Sequence, residues 1–282
     1  MAGFRLRSRM SDLTSYLIYL IFVSTIGPLQ FGYHLVSFLF FIHSPRLTVF
    51  QAELNAPQDV LTCVKRSIRL TPNEARLPQC IPMDSIQLGL VSSMFTLGGL
   101  VGALAAGPVS ARYGRLKPMR VLTAFFTLGP IAEALAPNVG TMAAGRFISG
   151  LGAGATLVVV PIYISEIAPP AAKGFFGAFT QIMTNTGIFV AQFLGYFLSH
   201  DQMWRVILAA AGAFGILQLA GLTFAVDSPK WEAEQGRMTL AKRDLRRIRG
   251  NVDIQKEVDG WGFDHDGDGE GTSCPPQADA FR

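Results

Sequence analysis

The sequence predicts an all-α fold, a polytopic membrane bundle of about six transmembrane helices followed by short cytoplasmic helices. Half of the 282 residues are hydrophobic and only 16% are charged. The apolar residues are collected in long uncharged stretches, and about 20 such residues form a helix that can cross a bilayer. A soluble domain rarely combines these features.

Each predicted span is justified by such an apolar stretch. The six membrane helices are placed at residues 13–35, 86–110, 119–137, 140–165, 174–198 and 204–226. The first is not a cleavable signal peptide, because its apolar stretch is long and no small-residue cleavage site follows. Around this 13–226 membrane domain we predict an N-terminus at 1–12, an outside loop at 52–85, a helical linker at 227–258 and a disordered acidic tail at 259–282.

The charges between the spans predict the orientation of the bundle. Basic residues precede the first span, join the second to the third and the fourth to the fifth, and follow the sixth. The positive-inside rule therefore places both ends in the cytoplasm. The exceptions are basic residues in the predicted outside loop, namely Lys65, Arg66, Arg69 and Arg76.

The fourth span reads GRFISGLGAGATLVVVPIYISEIAPPAAK from Gly145 to Lys173. Its small residues let another helix approach closely, which is how helices associate in lipid. The string resembles the fourth helix of sugar porters of the major facilitator superfamily, which shows G-R-F, small residues, P-x-Y-x-x-E-x-x-P and then a basic residue. The resemblance extends from about Gln30 to Trp261. It implies the N-terminal six-helix half of a carrier of about twelve helices.

A charge network is implied at the cytoplasmic ends of the helices. GPVSARYGRLKP resembles the superfamily turn G-x-x-x-D-R-x-G-R-[RK], with Ala111 at the acidic position, and DSPKW resembles P-E-S-P-R-[WY]. In relatives this acid helps to latch the two halves of the transporter together, so its absence puts normal gating of the carrier in doubt. The predicted members are Arg112, Arg115, Arg146, Glu166 and Lys173. Interfacial anchoring is the alternative reading of such charges.

The fifth span carries the candidate solute ligands. Gln181, Asn185, Ile188 and Gln192 fall at i, i+4, i+7 and i+11, which is one stripe of a helix. Uncharged amides suit sugar hydroxyls, and the resemblance puts Gln181 at a sugar-contacting position and Ile188 against the sugar ring. Gln30 in the first span joins this predicted set. Alternatively, the amides only tie helices together.

The first span departs from the family at His34. After Q-F-G-Y the family shows Asp in many proton-coupled members and commonly Asn in facilitators, whereas this chain has His34. A histidine is a candidate proton carrier, and it is also a common packing residue. The missing carboxylate favours facilitated movement over proton symport.

The family pattern is interrupted directly after His34 and Leu35. Deleting Val36 to Gln51 would give FGYHLAELNAPQ, which restores the family spacing and looks close to fungal porters linked to vacuolar protein sorting. One hypothesis is a retained or mistranslated intron. The other is a genuine insertion lying along the membrane interface.

The predicted function is transmembrane transport of a hexose-like sugar, incomplete in this half-length chain. The alternative is a non-transporting membrane protein that acts in vacuolar or endosomal trafficking. No nucleophile–base set, metal cluster or phosphate loop is present in the sequence, so we expect no enzyme activity, cofactor or metal. Expected partners are a sugar, membrane lipid, and a second transporter half or a homodimer partner, without nucleic acid. The expected location is a vacuolar, endosomal or plasma membrane.

Overall fold

The computed structural model describes residues 14–39, 85–198, 204–250 and 253–261. Over these residues the secondary structure is helical, without strands. The long helices are α1 Ser15–Leu39, α2 Ser85–Tyr113, α3 Leu116–Ala134, α4 Val139–Ile167, α5 Lys173–Leu198 and α6 Trp204–Leu222. A 3-10 turn, Pro170–Ala172, leads into α5, and the short helices α7 Pro229–Glu234, α8 Met238–Arg249 and α9 Gln255–Asp259 follow α6. The prediction of an all-α bundle is confirmed.

Three of the described helices are long and apolar enough to cross a membrane by themselves, over Ser15–Leu35, Ile86–Tyr113 and Val139–Ile167. Val206–Leu222 forms a shorter apolar helix. The remaining two long helices are more polar, since α3 contains Lys117, Arg120 and Glu133 and α5 contains several amides and threonines. Their polar groups need partners within the protein or a polar surface to face.

Helix α4 lies at the centre of the bundle. It packs against α2 and α3 along most of its length and also against α1, while α5 packs on α1 and α6 on α3. The small residues of α4 permit this contact: a Cβ built at Gly154 would collide with the backbone carbonyl of Gly99 on α2. Large apolar side chains such as Leu104, Phe175 and Phe189 point outward, as expected for faces in contact with lipid.

One end of the bundle collects most of the polar contacts, and we call it the charged end. It contains the C-termini of α2, α4 and α6, the N-termini of α1, α3 and α5, and helices α7 to α9. Beneath it lies the largest apolar cluster, which includes Leu20, Met119, Val160 and Ile164. Thr14 at the start of α1 donates a hydrogen bond to the carbonyl of Ile248 in α8, which docks the linker onto the bundle.

The suspected insertion is only partly within the described residues. Helix α1 continues through Leu39, so the backbone of Val36–Leu39 is helical. The remainder of that segment, the loop after it and the acidic tail lie outside the described residues. Ala52, near which we expect helix one to resume after the suspected insertion, lies there too.

Candidate functional site

The charged end is organised around a tight turn between α2 and α3. Gly114 adopts a φ of +89° there, a conformation that residues with a side chain rarely take. A Cβ at this position would lie 2.5 Å from Asp227 Oδ2 and 2.9 Å from the Trp231 ring. Glycine is therefore required both by the turn and by the segment packed on it.

That segment is the DSPKW motif after α6. Asp227 Oδ1 accepts hydrogen bonds from the backbone N–H groups of Arg115 at 2.9 Å and Leu116 at 3.2 Å. These are free donors at the start of α3, where Arg115 supplies no side-chain cap. Trp231 Nε1 donates to the carbonyl of Ala111 at 2.9 Å. Two separate sequence motifs thus form one structural unit.

The structure brings Arg115 and Glu166 together across this turn. Arg115 Nε and Nη2 donate to the two carboxylate oxygens of Glu166 at 2.8 and 2.7 Å. Both side chains are about nine-tenths buried, with 11% and 10% exposure. A third donor, Arg115 Nη1, bonds the carbonyl of Ser110 at 3.0 Å. Bidentate geometry and burial make this the strongest type of charge pair, and it joins α2, α3 and α4.

The other predicted members of the network lie outside this ion pair. Arg112 is exposed and stacks over the Tyr113 ring at 5.6 Å, and Lys173 is exposed at the start of α5. The assignment of Arg146 to the charged end is wrong. It lies on the same helix as Glu166, twenty residues earlier, which at 1.5 Å per residue is about 30 Å away.

Sequence reasoning missed Arg249, at the end of α8. Its Nη1 donates to the carbonyl of Ile167, the last residue of α4, at 2.7 Å. Its Nε and Nη2 bind Glu257 of α9 at 2.8 and 2.6 Å. A cation at a helix C-terminus interacts favourably with the free carbonyls there. The available signal was the apolar face of α8, which indicates that this helix packs on other residues but not which arginine is buried.

Burial raises the pKa of the Glu232 carboxyl, which lies in α7 within this unit. The nearby Asp244 and Asp227 carboxylates act in the same direction, whereas Arg237 and Arg243 oppose the shift. The docked linker thus brings three acidic residues close together.

The amide stripe, Gln181, Asn185, Ile188 and Gln192, lies on α5. Gln181 and Asn185 are exposed, and Gln181 Nε2 donates to Asn185 Oδ1 at 3.2 Å. Ile188 is half-buried against the cluster of Tyr33 and Ala191, and Gln192 is half-buried. The two leading amides therefore present hydrogen-bonding groups on an open face of the bundle.

Gln30 does not belong to that face. It is fully buried, and its Nε2 donates to Gln218 Oε1 of α6 at 2.9 Å. In this structure Gln30 ties α1 to α6, and the prediction that it contacts solute stays a prediction.

A cavity of about 430 Å³ lies between α1, α2 and α4, and we call it the side cavity. His34 and Arg146 line it together with Ser92 and Thr96, and the rest of the wall is apolar. His34 is buried and packs beside the rings of Phe95 and Tyr33, each with its centroid 5.9 Å away.

Behind this wall lies Glu133 of α3, which sequence reasoning also missed. Its carboxylate lies 3.6 Å from Arg146 Nε and accepts a hydrogen bond from Ser149 at 2.6 Å. The sequence signal for Glu133 was a single acidic residue within a predicted membrane span, which marks a candidate functional residue. Among the described residues no group of three or more His, Cys, Asp or Glu could hold a metal ion.

Comparison with known proteins places this geometry in context. Residues 20–270 match the family model for the sugar (and other) transporter family. The chain is 30% identical to the vacuolar protein sorting-associated protein 73 of Saccharomyces cerevisiae, over 90% of this chain and 51% of the relative. It is 38% identical to the probable plastidic glucose transporter 1 of Arabidopsis thaliana, over 62% of this chain and 34% of that protein.

Among solved structures, the fold is similar to that of the proton:xylose symporter XylE from E. coli, bound to 6-bromo-6-deoxy-D-glucose. The TM-score is 0.68 at 23% identity, covering 88% of this chain and 52% of the symporter. The chain spans about half the length of its yeast relative. The family match covers most of the chain, and it agrees with the helical bundle and the docked motifs at the charged end. The chain therefore belongs to the sugar (and other) transporter family and is a multi-pass integral membrane protein.

Proposed function

We propose that this chain forms the N-terminal six-helix unit of a sugar carrier and that the sugar is hexose-like. The observation that carries the proposal is the exposed amide pair Gln181–Asn185 on α5 of a membrane protein. Other exposed side chains of the same helix include the apolar Ile182, Phe189 and Phe193. An amide facing hydrocarbon is costly, so this pair is expected to face a polar path.

The chemistry of the pair fits a sugar. Each amide offers donors and an acceptor, so the pair can satisfy several hydroxyl groups without burying a net charge. Ile188, one turn further along, supplies an apolar surface for a sugar ring. The likeness to a symporter that binds a glucose derivative supports this choice of solute class at the level of fold.

The mode of movement that we propose is facilitated transport. His34 stands where the proton-coupled members of the family carry an acid, and it packs among aromatic rings beside the side cavity. The Arg115–Glu166 pair and the docked DSPKW segment are proposed to hold the cytoplasmic ends of α2, α3 and α4 as one body. That body would rock against a second six-helix unit, supplied by further chain or by a second copy.

A second function is a non-transporting role in vacuolar or endosomal trafficking. It is favoured by the relative named for vacuolar protein sorting and by Ala111 at the acidic position of the signature turn. The vacuolar membrane is the location we propose on the same ground.

Uptake of radiolabelled hexoses into proteoliposomes separates the two functions. Saturable uptake that falls in Gln181→Ala supports the carrier, because one buried hydrogen bond to a hydroxyl is worth about 1–3 kcal/mol. The matched control is Thr186→Ala, since the Thr186 hydroxyl bonds the carbonyl of Ile182 on its own helix. Uptake that is absent even when a second six-helix unit is supplied would favour the trafficking role. Uptake unchanged in Gln181→Ala would assign that residue to packing.

A further inference from the structure

We propose that the seam between α1 and α6 at the charged end is a binding site for an anionic phospholipid, whose headgroup phosphate is bound by Arg247 and Arg243 of α8. The ligand is a component of the membrane itself, so the proposal does not depend on which solute the chain carries. Arg247 lies at the centre of the site. Its guanidinium carbon is 4.4 Å from the centroid of the Tyr16 ring, which belongs to the first turn of α1.

Helix α8 is held against the ends of the membrane helices. In its last turn, the carbonyl of Ile248 accepts a hydrogen bond from Thr14 at the start of α1, and Arg249 donates to the last carbonyl of α4. Because α1 and α4 are each long enough to cross a membrane, their ends lie at the level of the lipid headgroups. The face of α8 that points away from the bundle carries three exposed arginines, Arg243, Arg246 and Arg247.

Arg247 is available for a phosphate. Its side chain is exposed, and among the described residues no carboxylate forms an ion pair with it. A guanidinium over an aromatic ring keeps N–H groups for other acceptors, and two of them bind phosphate oxygens at once. Arg243, one turn earlier, is 69% exposed, although it also contacts the buried Asp244 at 2.9 Å. The two arginines together carry more charge than this one acid neutralises.

The membrane-facing surface next to these arginines is apolar. Ile18 and Phe22, one turn apart on α1, are 52% and 59% exposed, and Phe224 just after α6 is 70% exposed. Tyr16 joins the two helices at the charged end, because its hydroxyl donates to the carbonyl of Phe224 at 2.9 Å. An acyl chain lying along Ile18 and Phe22 would therefore place its headgroup beside Tyr16 and Arg247.

The order of these groups selects an anionic phospholipid. From the bilayer outward they are an apolar surface, a tyrosine at the interface and then two cations, which matches an acyl chain followed by a phosphate. The positive-inside rule predicts that the charged end faces the cytoplasm, where the leaflet contains anionic lipids such as phosphatidylserine. Phosphatidylcholine has the same phosphate but also a cation in its headgroup, so it should bind more weakly.

Site-directed quenching in vesicles tests the proposal in the full chain. In a chain without its native cysteines, bimane is attached at Phe22→Cys, or at Leu104→Cys on α2, a 70% exposed control position. Phosphatidylcholine vesicles contain a small fraction of phosphatidylserine or phosphatidylcholine with a nitroxide on the acyl chain. We expect phosphatidylserine to quench about threefold more effectively at residue 22, and the two lipids to be equal at residue 104. Equal quenching by both lipids at residue 22 would overturn the proposal.

Charge-matched variants separate a site from general attraction. Arg243→Gln with Arg247→Gln should remove the preference at residue 22. Lys117→Gln with Arg246→Gln removes the same charge from other exposed positions and should retain it. Equal losses in the two double variants would mean diffuse attraction and would overturn the site. Should the first double variant fail to fold, the parent chain in about 1 M salt provides the test, because the Debye length is then about 3 Å. A preference that persists there would also contradict the proposal.

The acidic segment after residue 261 is the competing occupant. It contains Asp264, Asp266 and Asp268, whose charge is suited to the same two arginines. If lipid occupies the site, deleting residues 262–282 should leave the preference at residue 22 unchanged. A preference that appears only after this deletion would assign the arginines to the acidic segment and would overturn the lipid site.

Discussion

At the charged end, two charged side chains bind backbone groups at the ends of helices other than their own. Asp227 lies at the N-terminus of α3 and accepts from two backbone N–H groups, while Arg249 donates to the last carbonyl of α4. Each carries the charge that the helix dipole favours at that position. Because both residues lie after α6, they fasten the linker onto the membrane helices. Single side chains therefore couple parts of the chain that are distant in sequence.

Arg249→Gln should lower the free energy of unfolding by about 1–3 kcal/mol, because Glu257 and the carbonyl of Ile167 lose a buried charged donor. The matched control is Arg246→Gln on the exposed face of the same helix, which should change stability by less than about 0.5 kcal/mol. Thermal unfolding of both variants in detergent measures the difference. Equal losses would mean that Arg249 contributes no more than a surface charge.

Glu232 provides a pH dependence. Its pKa is raised in the folded chain by burial, so folding favours the protonated form. Stability from this group is therefore lost as the pH rises from its ordinary value of about 4.3 through the higher folded value. Glu232→Gln should raise the Tm at pH 7.5 by about 1–2 °C, and this gain should vanish near pH 4. Glu234→Gln, at an exposed position, is the control; a gain that is equal at both pH values would contradict the assignment.

At the scale of helices, the sequence predicted most of the architecture, because apolar length alone marks a membrane span. The bounds of α3 to α6 lie within a few residues of the prediction. The partner of each charged side chain was harder to predict from the sequence. Glu166 and Arg115 were assigned to one network from motif spacing, but Arg146 was placed with them although it lies about 30 Å along the same helix. Its ion pair with Glu133 depends on how α3 packs against α4, which no spacing within one helix reveals.

The close contact of α2 with α4 is tested by adding one methyl group. Gly154→Ala should destabilise the bundle by about 2 kcal/mol or more, because its Cβ would collide with the carbonyl of Gly99. At Gly177 of α5 the same change meets nothing within 4 Å. Gly177→Ala should therefore be neutral or stabilising by up to about 1 kcal/mol, as expected from helix propensity. Urea or thermal unfolding that showed equal effects would argue against the close helix contact.

At the scale of the whole molecule, the polar contacts that hold the helices together lie at one end of the bundle, whereas α5 has an exposed face. The docked linker, the bidentate Arg115–Glu166 pair and the capped helix ends all lie at the charged end. The Gln181–Asn185 pair lies on an exposed face away from these contacts. The proposed carrier half would use this division to move as a rigid unit and to present the proposed solute contacts to one side.

The segment Val36 to Gln51 is tested by deletion. If it is a retained intron, the shortened chain should be at least as stable in detergent, because Leu35 would then continue α1 directly into Ala52. Expression yield and Tm of the two chains provide the comparison, and the transcript across these codons provides an independent check. A clear loss of yield or Tm on deletion would identify the segment as genuine structure.

The central claim is that the amide stripe contacts a sugar, and protection from alkylation tests it most directly. In a chain whose native cysteines are replaced, Asn185→Cys is labelled with N-ethylmaleimide with and without D-glucose, with L-glucose as the stereochemical control. Ile182→Cys, on an exposed apolar face of the same helix, controls for general effects of sugar. We expect saturating D-glucose to slow labelling at residue 185 by about threefold or more, with no effect at residue 182. Identical labelling rates at residue 185 with D-glucose, with L-glucose and without sugar would contradict the account.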